Sequence, residues 1–380
     1  MKRFWMLTLT LILAACTSPN PTQAVQSLNT ETSQLPTLQP TALPSATPTS
    51  APTNTPVPPP PSPITPGKLS ELSEIYRLPI EDIREIKFLE NGEDLGVTSG
   101  NQENFGAYLV NTVSGEITQT YQPYDGIVWG LDISKDDLWL VTASNSQSEK
   151  TITVWNLMNN SLATWLKQPI GPNSVAFSPD GSVLAVGGIN TWPEGEIWLY
   201  EVNTWTPLDK LDAQGQNVLA LEYSPDGNML ISAGTDGKIR VWNPKNGSLV
   251  QTLFYARQAN NLAFSPGGEL LASTFCDEVG TSGCTKGGVV VWRTSDWSIL
   301  QIFPDLAETV TFSADGQLMV TGSGNNDPII RFRRTIDWST VYTINESSNA
   351  LAFNYDGSRF ASANWTEIKI YTIKNGPSGK

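Results

Sequence analysis

Apolar and polar positions alternate in short segments along most of the chain, and each segment ends at a turn sequence. The apolar residues 175–177 run into Ser178-Pro179-Asp180-Gly181, and a second apolar segment follows at residues 183–186. Further along a repeat, a third segment ends in an aromatic residue, as in Ile239-Arg240-Val241-Trp242, and a fourth segment follows one more turn. Short apolar runs bounded by Pro, Asp and Gly predict β-strands joined by tight turns. The pattern therefore predicts units of four strands.

This unit recurs seven times. The apolar residue that precedes each turn returns at spacings of 41–48 residues. These leading positions are Phe88, Ile133, Phe177, Tyr223, Phe264, Phe312 and Phe353. A repeat of this length makes one small sheet that cannot bury its own faces, so neighbouring copies must stack on one another. An all-β ring or array of seven sheets is the expected architecture.

Four strands in about 44 residues, with an aromatic residue closing the third strand, resemble the Trp-Asp (WD) repeat family of β-propellers. The repeat that contains Asp236 and Trp242 is the most similar, and the resemblance covers residues 68–373. It implies a seven-bladed β-propeller of four-stranded antiparallel blades that binds other proteins. The chain has no His, so the family's Gly-His pair and its Asp-His hydrogen-bond network are absent. Asp236 is expected to keep only a role in its turn.

The ends of the repeat region predict how the ring closes. The last unit reaches its third strand at Ile368-Lys369-Ile370-Tyr371, and the remaining residues are too few and too polar for a fourth. Residues 72–78 precede the first unit in the register that a fourth strand occupies elsewhere. We expect this N-terminal segment to complete the last blade, because pairing there hides two open sheet edges.

The N-terminus has the features of an exported protein. Met1-Lys2-Arg3 is followed by an apolar run to Ala15 and then by Cys16, and Leu13-Ala14-Ala15-Cys16 resembles the bacterial lipobox. This predicts a lipoprotein signal peptide at residues 1–15, a lipidated Cys16 and an extracytoplasmic protein anchored to a membrane of the bacterial cell envelope by its acyl chains. The alternative is an ordinary signal peptide with an unrelated Cys.

The next segment has the composition of a linker. Residues 17–66 hold fourteen Pro with many Thr and Ser and no aromatic residue. Such a composition cannot bury enough apolar surface to offset the entropy of ordering. The predicted organisation is a signal peptide at 1–15, a lipidated Cys and disordered linker at 16–67, the propeller at 68–374 and a tail at 375–380.

Charge and composition argue against several classes of function. The net charge is −14, which opposes contact with nucleic-acid phosphates. Without His there is no imidazole metal ligand, no Ser-His-Asp triad and no His base, and neither a nucleophile elbow nor a phosphate-binding loop occurs. We therefore predict no metal site, no cofactor and no enzyme activity. Binding of another protein is the leading hypothesis; a glycan or cell-wall polymer and an unrecognised lyase or hydrolase are the alternatives.

The candidate binding face follows from the repeat register. In the resembling fold, the position four residues before each leading apolar residue opens onto the channel mouth, beside variable loops where binding function is usually found. The candidates at this register are Arg84, Trp129, Asn173, Asn260, Glu308 and Asn349, with Leu219 in the fourth unit. Tyr124, Trp129 and Trp192 supply aromatic anchors typical of binding hot spots. The alternative is that these residues are solvated strand ends.

Two cysteines remain after Cys16. Cys276 and Cys284 lie in the longest excursion of any repeat, in a chain predicted to be exported to a compartment where thiols oxidise. A flexible polar hairpin between them can bring their Cα atoms to bonding distance. The competing hypothesis is a metal site, but two thiolates without His are too few ligands for structural zinc. We predict a disulfide.

Overall fold

The computed structural model describes residues 61–100, 106–122, 126–144, 151–166, 171–189, 195–213, 217–255, 257–280, 283–324 and 326–374. Within these ranges one 3₁₀ helix, Pro66–Glu71, precedes a series of strands. In chain order the strands are β1 (Leu72–Leu78), β2 (Ile83–Phe88), β3 (Asp94–Ser99), β4 (Gly106–Asn111), β5 (Glu116–Tyr121), β6 (Val128–Ile133), β7 (Trp139–Ser144), β8 (Ile152–Asn156), β9 (Ser161–Leu166), β10 (Gly171–Phe177), β11 (Val183–Ile189), β12 (Gly195–Glu201), β13 (Thr206–Asp212), β14 (Val218–Tyr223), β15 (Leu230–Gly234), β16 (Lys238–Asn243), β17 (Ser248–Phe254), β18 (Gln258–Phe264), β19 (Leu270–Gly280), β20 (Gly283–Arg293), β21 (Ile299–Phe303), β22 (Thr309–Phe312), β23 (Leu318–Gly322), β24 (Ile330–Arg334), β25 (Thr340–Ile344), β26 (Ala350–Phe353), β27 (Arg359–Ala363) and β28 (Ile368–Ile373).

The strands form seven antiparallel sheets of four. Blade 1 is β2-β3-β4-β5, blades 2 to 6 follow in the same sequential order up to β22-β23-β24-β25, and blade 7 is β26-β27-β28-β1. The first strand of each blade lines a central channel and the fourth lies at the rim. The predicted seven-bladed propeller of four-stranded antiparallel blades is confirmed.

Blade 7 joins the two ends of the chain. β1 pairs antiparallel with β28, with Leu72 opposite Ile373 and Leu78 opposite Ile368. The N-terminal strand is thus the outer strand of the last blade, as predicted. The connection from Leu78 to β2 then starts blade 1, so the closing strand belongs to one blade and leads directly into the next.

The fold extends further toward the N-terminus than the predicted boundary at residue 68. Ile64 is 1% exposed and Leu69 is 2% exposed, and both pack with blades 6 and 7. The backbone N–H of Ile64 also donates to the carbonyl of Gly357 at 2.8 Å. The prediction assigned residues 64–67 to the linker because a single Ile between prolines has no periodicity that would mark it as buried.

The core lies between blades rather than within one. One apolar cluster contains Ile83 and Val97 from blade 1 together with Ala361 and Ile370 from blade 7, all fully buried. Similar clusters fill the other contacts between blades. A sheet that is apolar on both faces can bury them only between two neighbours, and this requirement favours a closed ring.

Turns define two faces of the propeller. The turns between strands 1 and 2 and between strands 3 and 4 of each blade share one end, which we call the turn face; the opposite end is the loop face. In the turn after β10, the Ser178 hydroxyl donates to Asp180 at 2.6 Å and Gly181 takes a φ of +70°. Both ends of the described fold, near Leu72 and Ile373, lie at the turn face.

Three of the turns between strands 3 and 4 place a Trp where Gly is expected. Trp205, Trp297 and Trp338 have φ of 55–61°, whereas Gly115 and Gly247 occupy this position in other blades. Each Trp N–H donates to the carbonyl four residues earlier, and Trp205 packs edge-on against Trp139 at 5.3 Å. Left-handed backbone is unfavourable for a bulky residue, so ring packing stabilises these turns. The three tryptophans therefore have a structural role in these turns.

The closing segment gives a test with a matched control. Replacing Leu69, which is 2% exposed, by Ala should lower the free energy of unfolding by about 2–4 kcal/mol. Ile75 in β1 is 39% exposed, so Ile75→Ala should change it by only about 0.5 kcal/mol. Chemical denaturation of the two variants measures the difference. If Leu69→Ala lowers the free energy of unfolding as little as Ile75→Ala does, Leu69 does not contribute to the core.

Candidate functional site

The first strands of all seven blades surround a central channel with a volume of about 630 Å³. The residues at the predicted register all line it, which brings together side chains that lie far apart in the sequence. They are Arg84, Trp129, Asn173, Leu219, Asn260, Glu308 and Asn349. Each lies near the start of its strand, so the set surrounds the channel mouth on the loop face. The structure thus gives the predicted placement of these residues, while their function remains a prediction.

Two of the predicted aromatic anchors cannot be placed in this way. Tyr124 and Trp192 lie outside the described residues. Residues 145–150 and 190–194, which connect the second and third strands of blades 2 and 3, also lie outside the described residues. The site described below is therefore built from the remaining candidates and from residues that sequence reasoning missed.

Arg84 is the centre of an aromatic cluster at the channel mouth. Its guanidinium carbon lies 4.6 Å from the ring centre of Trp129 and 4.5 Å from that of Trp365. Asp82 pairs with Arg84, with Nη2 and Oδ1 2.7 Å apart. The Nε atom of Arg84 is buried and has no hydrogen-bond partner among the described residues. A cation between two aromatic rings is held in one orientation, so this part of the mouth is rigid.

Trp365 was not among the candidates. It lies in the loop between β27 and β28 of blade 7, whereas Arg84 belongs to blade 1, and closure of the ring brings the two together. An aromatic residue in a loop of the predicted binding face, within Asn364-Trp365-Thr366, was the available signal. The repeat register could not find it, because the loops do not follow that register.

The amides at the mouth connect neighbouring blades. Asn173 donates to the side-chain oxygen of Asn217 at 2.5 Å, and Asn349 donates to the carbonyl of Ile83 at 2.6 Å. Glu308 lies beside the backbone of Gly324, and burial raises the pKa of this carboxyl. Asn173 and Asn349 are therefore more than solvated strand ends, since their hydrogen bonds join blade 3 to blade 4 and blade 7 to blade 1.

Deeper in the channel, carboxylates satisfy the open edges of the inner strands. Asp132 accepts the N–H of Phe177 at 2.6 Å and forms an ion pair with Lys87. Glu85 accepts the N–H of Leu131 at 2.7 Å. These contacts link blades 1, 2 and 3. In blade 4, Asp236 accepts the N–H of Lys238 at 3.1 Å, which is the expected role in its turn. It also pairs with Arg240, with Oδ2 and Nη2 2.7 Å apart, so its role is not confined to the turn.

Burial changes the acidity of this channel. It raises the pKa of Glu85 to about 8, an effect that the hydrogen bond from Leu131 opposes and the nearby Asp132 reinforces. Burial also raises the pKa of Glu222 to about 7, against the attraction of Lys87. Burial lowers the pKa of Lys87, but Asp132 and Glu222 outweigh it and keep this amine protonated. No group of three metal-ligating side chains occurs within the described ranges.

A disulfide-linked hairpin projects from the loop face. Cys276 and Cys284 are bonded, with Cα atoms 5.8 Å apart, as predicted. The expected flexible excursion is instead an extension of β19 and β20, which pair as far as Gly280 and Gly283. The extension also contacts blade 6, because the Asn326 amide donates to the carbonyl of Cys284 at 2.9 Å. Strand pairing thus continues beyond the bridge, on both strands of the hairpin.

Comparison with known proteins finds a matching repeat in two regions of the chain. The family described as WD domain, G-beta repeat matches residues 115–156 and 205–243. The chain is 31% identical over 156 residues to the small ribosomal subunit protein RACK1y of Oryza sativa subsp. japonica, covering 39% of this chain and 42% of that protein. It is 24% identical over 191 residues to the target of rapamycin complex subunit wat1 of Schizosaccharomyces pombe, covering 48% and 56%.

A third relative extends the comparison. Over 159 residues the chain is 26% identical to the pre-mRNA-processing factor 19 homolog 2 of Arabidopsis thaliana, covering 40% of this chain and 27% of that protein. The matched regions span between 27% and 56% of the length of these three relatives. No helix among the described residues is long and apolar enough to span a membrane.

The acidity of the channel predicts a pH-dependent stability. The pKa of Glu222 is about 7 in the folded chain and 4.5 as the ordinary value, so the folded state binds this proton more tightly. The stabilisation that the folded state gains by holding this proton is complete below about pH 4.5 and is lost as pH rises through about 7. Glu222→Gln should therefore raise the melting temperature at about pH 8.5 by a few degrees relative to wild type, and less at about pH 5.5.

Thermal melts at the two pH values test this. Glu116→Gln changes an exposed carboxylate on β5 and should leave the pH dependence as it is. An unchanged pH dependence in Glu222→Gln would contradict the proposed burial effect.

Proposed function

Because this chain carries WD repeats on a closed seven-bladed propeller, we propose that it is a non-catalytic scaffold that binds another protein at its loop face. The channel mouth is the proposed contact surface. The chain lacks His, so it has no imidazole base, and the channel carboxylates Glu85 and Asp132 make structural hydrogen bonds.

The observation that carries the proposal is the cluster of Arg84, Trp129 and Trp365. Trp and Arg are the residues that contribute most binding energy at protein interfaces, particularly when their orientation is fixed beforehand. Here the two rings hold the guanidinium, and Trp365 is exposed at the surface. A partner that covers the cluster would gain aromatic contact area without ordering flexible side chains.

The relatives support the same class of function. Their names describe one as a protein of the small ribosomal subunit and another as a subunit of the target of rapamycin complex. Both therefore belong to assemblies. A propeller with the same repeat is suited to the same use, since its rigid ring presents variable loops on one face.

We further propose that the propeller is attached to a bacterial membrane through Cys16, on the extracytoplasmic side. The lipobox-like Leu13-Ala14-Ala15-Cys16 after an apolar run supports this. The bond between Cys276 and Cys284 also agrees with an oxidising compartment. The Pro-rich segment would then separate the propeller from the bilayer.

Binding at the channel mouth can be tested with the full chain as bait. The double variant Trp129→Ala and Trp365→Ala should reduce recovery of a specific envelope protein about tenfold or more, measured by quantitative mass spectrometry. Trp165→Ala, on the outer strand β9, is the control and should have no effect. If no protein depends on the two tryptophans while sedimentation with peptidoglycan does, the site binds a glycan instead.

Anchoring has its own test. In cells fed a labelled fatty acid, the wild-type chain should carry the label and fractionate with membranes, whereas Cys16→Ser should lose the label and leave the membrane fraction. The physical reason is that each acyl CH₂ buried in the bilayer contributes about 0.8 kcal/mol. The variant Cys276→Ser with Cys284→Ser should keep the label. Equal labelling of Cys16→Ser would refute the anchor.

A further inference from the structure

A second cavity, of about 470 Å³, lies between blades 3 and 4 and opens at the turn face. Its walls include Pro179 and Leu208 from blade 3 and Pro244 from blade 4. Leu208 is 54% exposed, so the wall that it forms is an apolar surface open to solvent. The groove is far from Arg84 in the fold, because the channel mouth lies on the opposite face.

Tyr223, one of the residues that line the groove, carries a buried polar atom without a partner among the described residues. Tyr223 is 7% exposed, and its phenolic oxygen makes no hydrogen bond within the described part of the chain. Burial and the neighbouring Asp180 raise the pKa of this phenol, so it remains a neutral O–H that can donate and accept. A buried hydroxyl without a partner destabilises the free protein, and a ligand that hydrogen-bonds to it would remove this destabilisation.

The rim of the groove is acidic. Asp180, Asp209 and Asp226 line it, whereas Lys245 is the single basic residue in the lining and donates to Asn228 at 3.1 Å. Hydrogen bonds from Ser178 and Ser224 lower the pKa of Asp180 and of Asp226, respectively, and keep both ionised. Asp209 lies against the turn of blade 4, since a Cβ built on Gly247 would be 2.8 Å from its Oδ2.

We infer that this groove binds an arginine side chain of a partner protein. The aliphatic stem would lie on Leu208 and Pro244, the guanidinium would face the three carboxylates, and one of its N–H groups would donate to the phenolic oxygen of Tyr223. Arg matches this combination better than Lys because its cation is planar, weakly hydrated and rich in donors. An anionic ligand is disfavoured by the same three carboxylates.

The inference goes beyond the proposed function, because it concerns the opposite face and does not depend on the channel mouth. A direct test uses the full chain and the blocked tripeptide acetyl-Leu-Arg-Leu-amide, with binding measured by ligand-observed NMR. The matched probe contains citrulline in place of Arg, which has the same shape without the charge. The Arg peptide should bind at least about tenfold more tightly than the citrulline peptide, as expected for a charge-assisted contact.

Variants assign the binding to the groove. Tyr223→Phe should weaken the Arg peptide about fivefold or more and, because it removes the unpartnered hydroxyl, should raise the melting temperature of the free protein. Asp180→Asn should also weaken binding. Asp315→Asn is the matched control: Asp315 accepts from Ser313 at 2.6 Å in the corresponding turn of blade 6, so it shares the turn role of Asp180 but not the groove.

The outcomes separate the two proposals. Trp129→Ala with Trp365→Ala should leave the Arg peptide unaffected, so failure of the channel-mouth proposal does not affect this result. Equal binding of the Arg and citrulline peptides, or full affinity in Tyr223→Phe, would overturn the inference. A gain in thermal stability without a loss of affinity in Tyr223→Phe would show that the hydroxyl has no ligand.

Discussion

Seven blades can bury their apolar faces against one another only if the first and last are held together, and here the backbone hydrogen bonds between β1 and β28 do this. Without β1, blade 7 would expose an unpaired strand edge. The apolar cluster that contains Ile83, Val97 and Ile370 would also be left open to solvent on that side. Ile64 and Leu69 strengthen the closure by adding buried apolar surface next to it. The positions of all other features depend on this ring.

The ring also determines which polar residues are needed. Each inner strand has an edge that faces the channel, and its N–H groups require acceptors because a buried unpaired donor is costly. Asp132, Glu85 and Asn261 supply such acceptors, because each accepts a backbone N–H group from the following blade. Burial in this channel raises the pKa values of Glu85 and Glu222, and the nearby Asp132 adds to the rise.

The repeat made much of this fold predictable. Residues at the same place in each repeat have the same backbone environment, so one register placed Arg84, Trp129 and Asn349 around a single channel. The same argument identified β1 as the closing strand. Trp365 and Ile64 were missed because neither belongs to the repeated pattern. The groove at Tyr223 was missed for a different reason. It forms between the outer parts of two blades, and no local sequence pattern shows that the residues of these two parts come together.

The direction in which β1 runs has a mechanical consequence. The chain enters β1 at the turn face and the strand runs toward the loop face, while β28 runs the opposite way. In a molecule anchored by its N-terminus and holding a partner at the channel mouth, tension would therefore act along the strand axis. Such shear loads the hydrogen bonds from Leu72 to Leu78 together instead of opening them one by one. β1 is thus oriented to resist pulling from the N-terminus. The rate at which its hydrogen bonds to β28 break would determine how long the propeller withstands force.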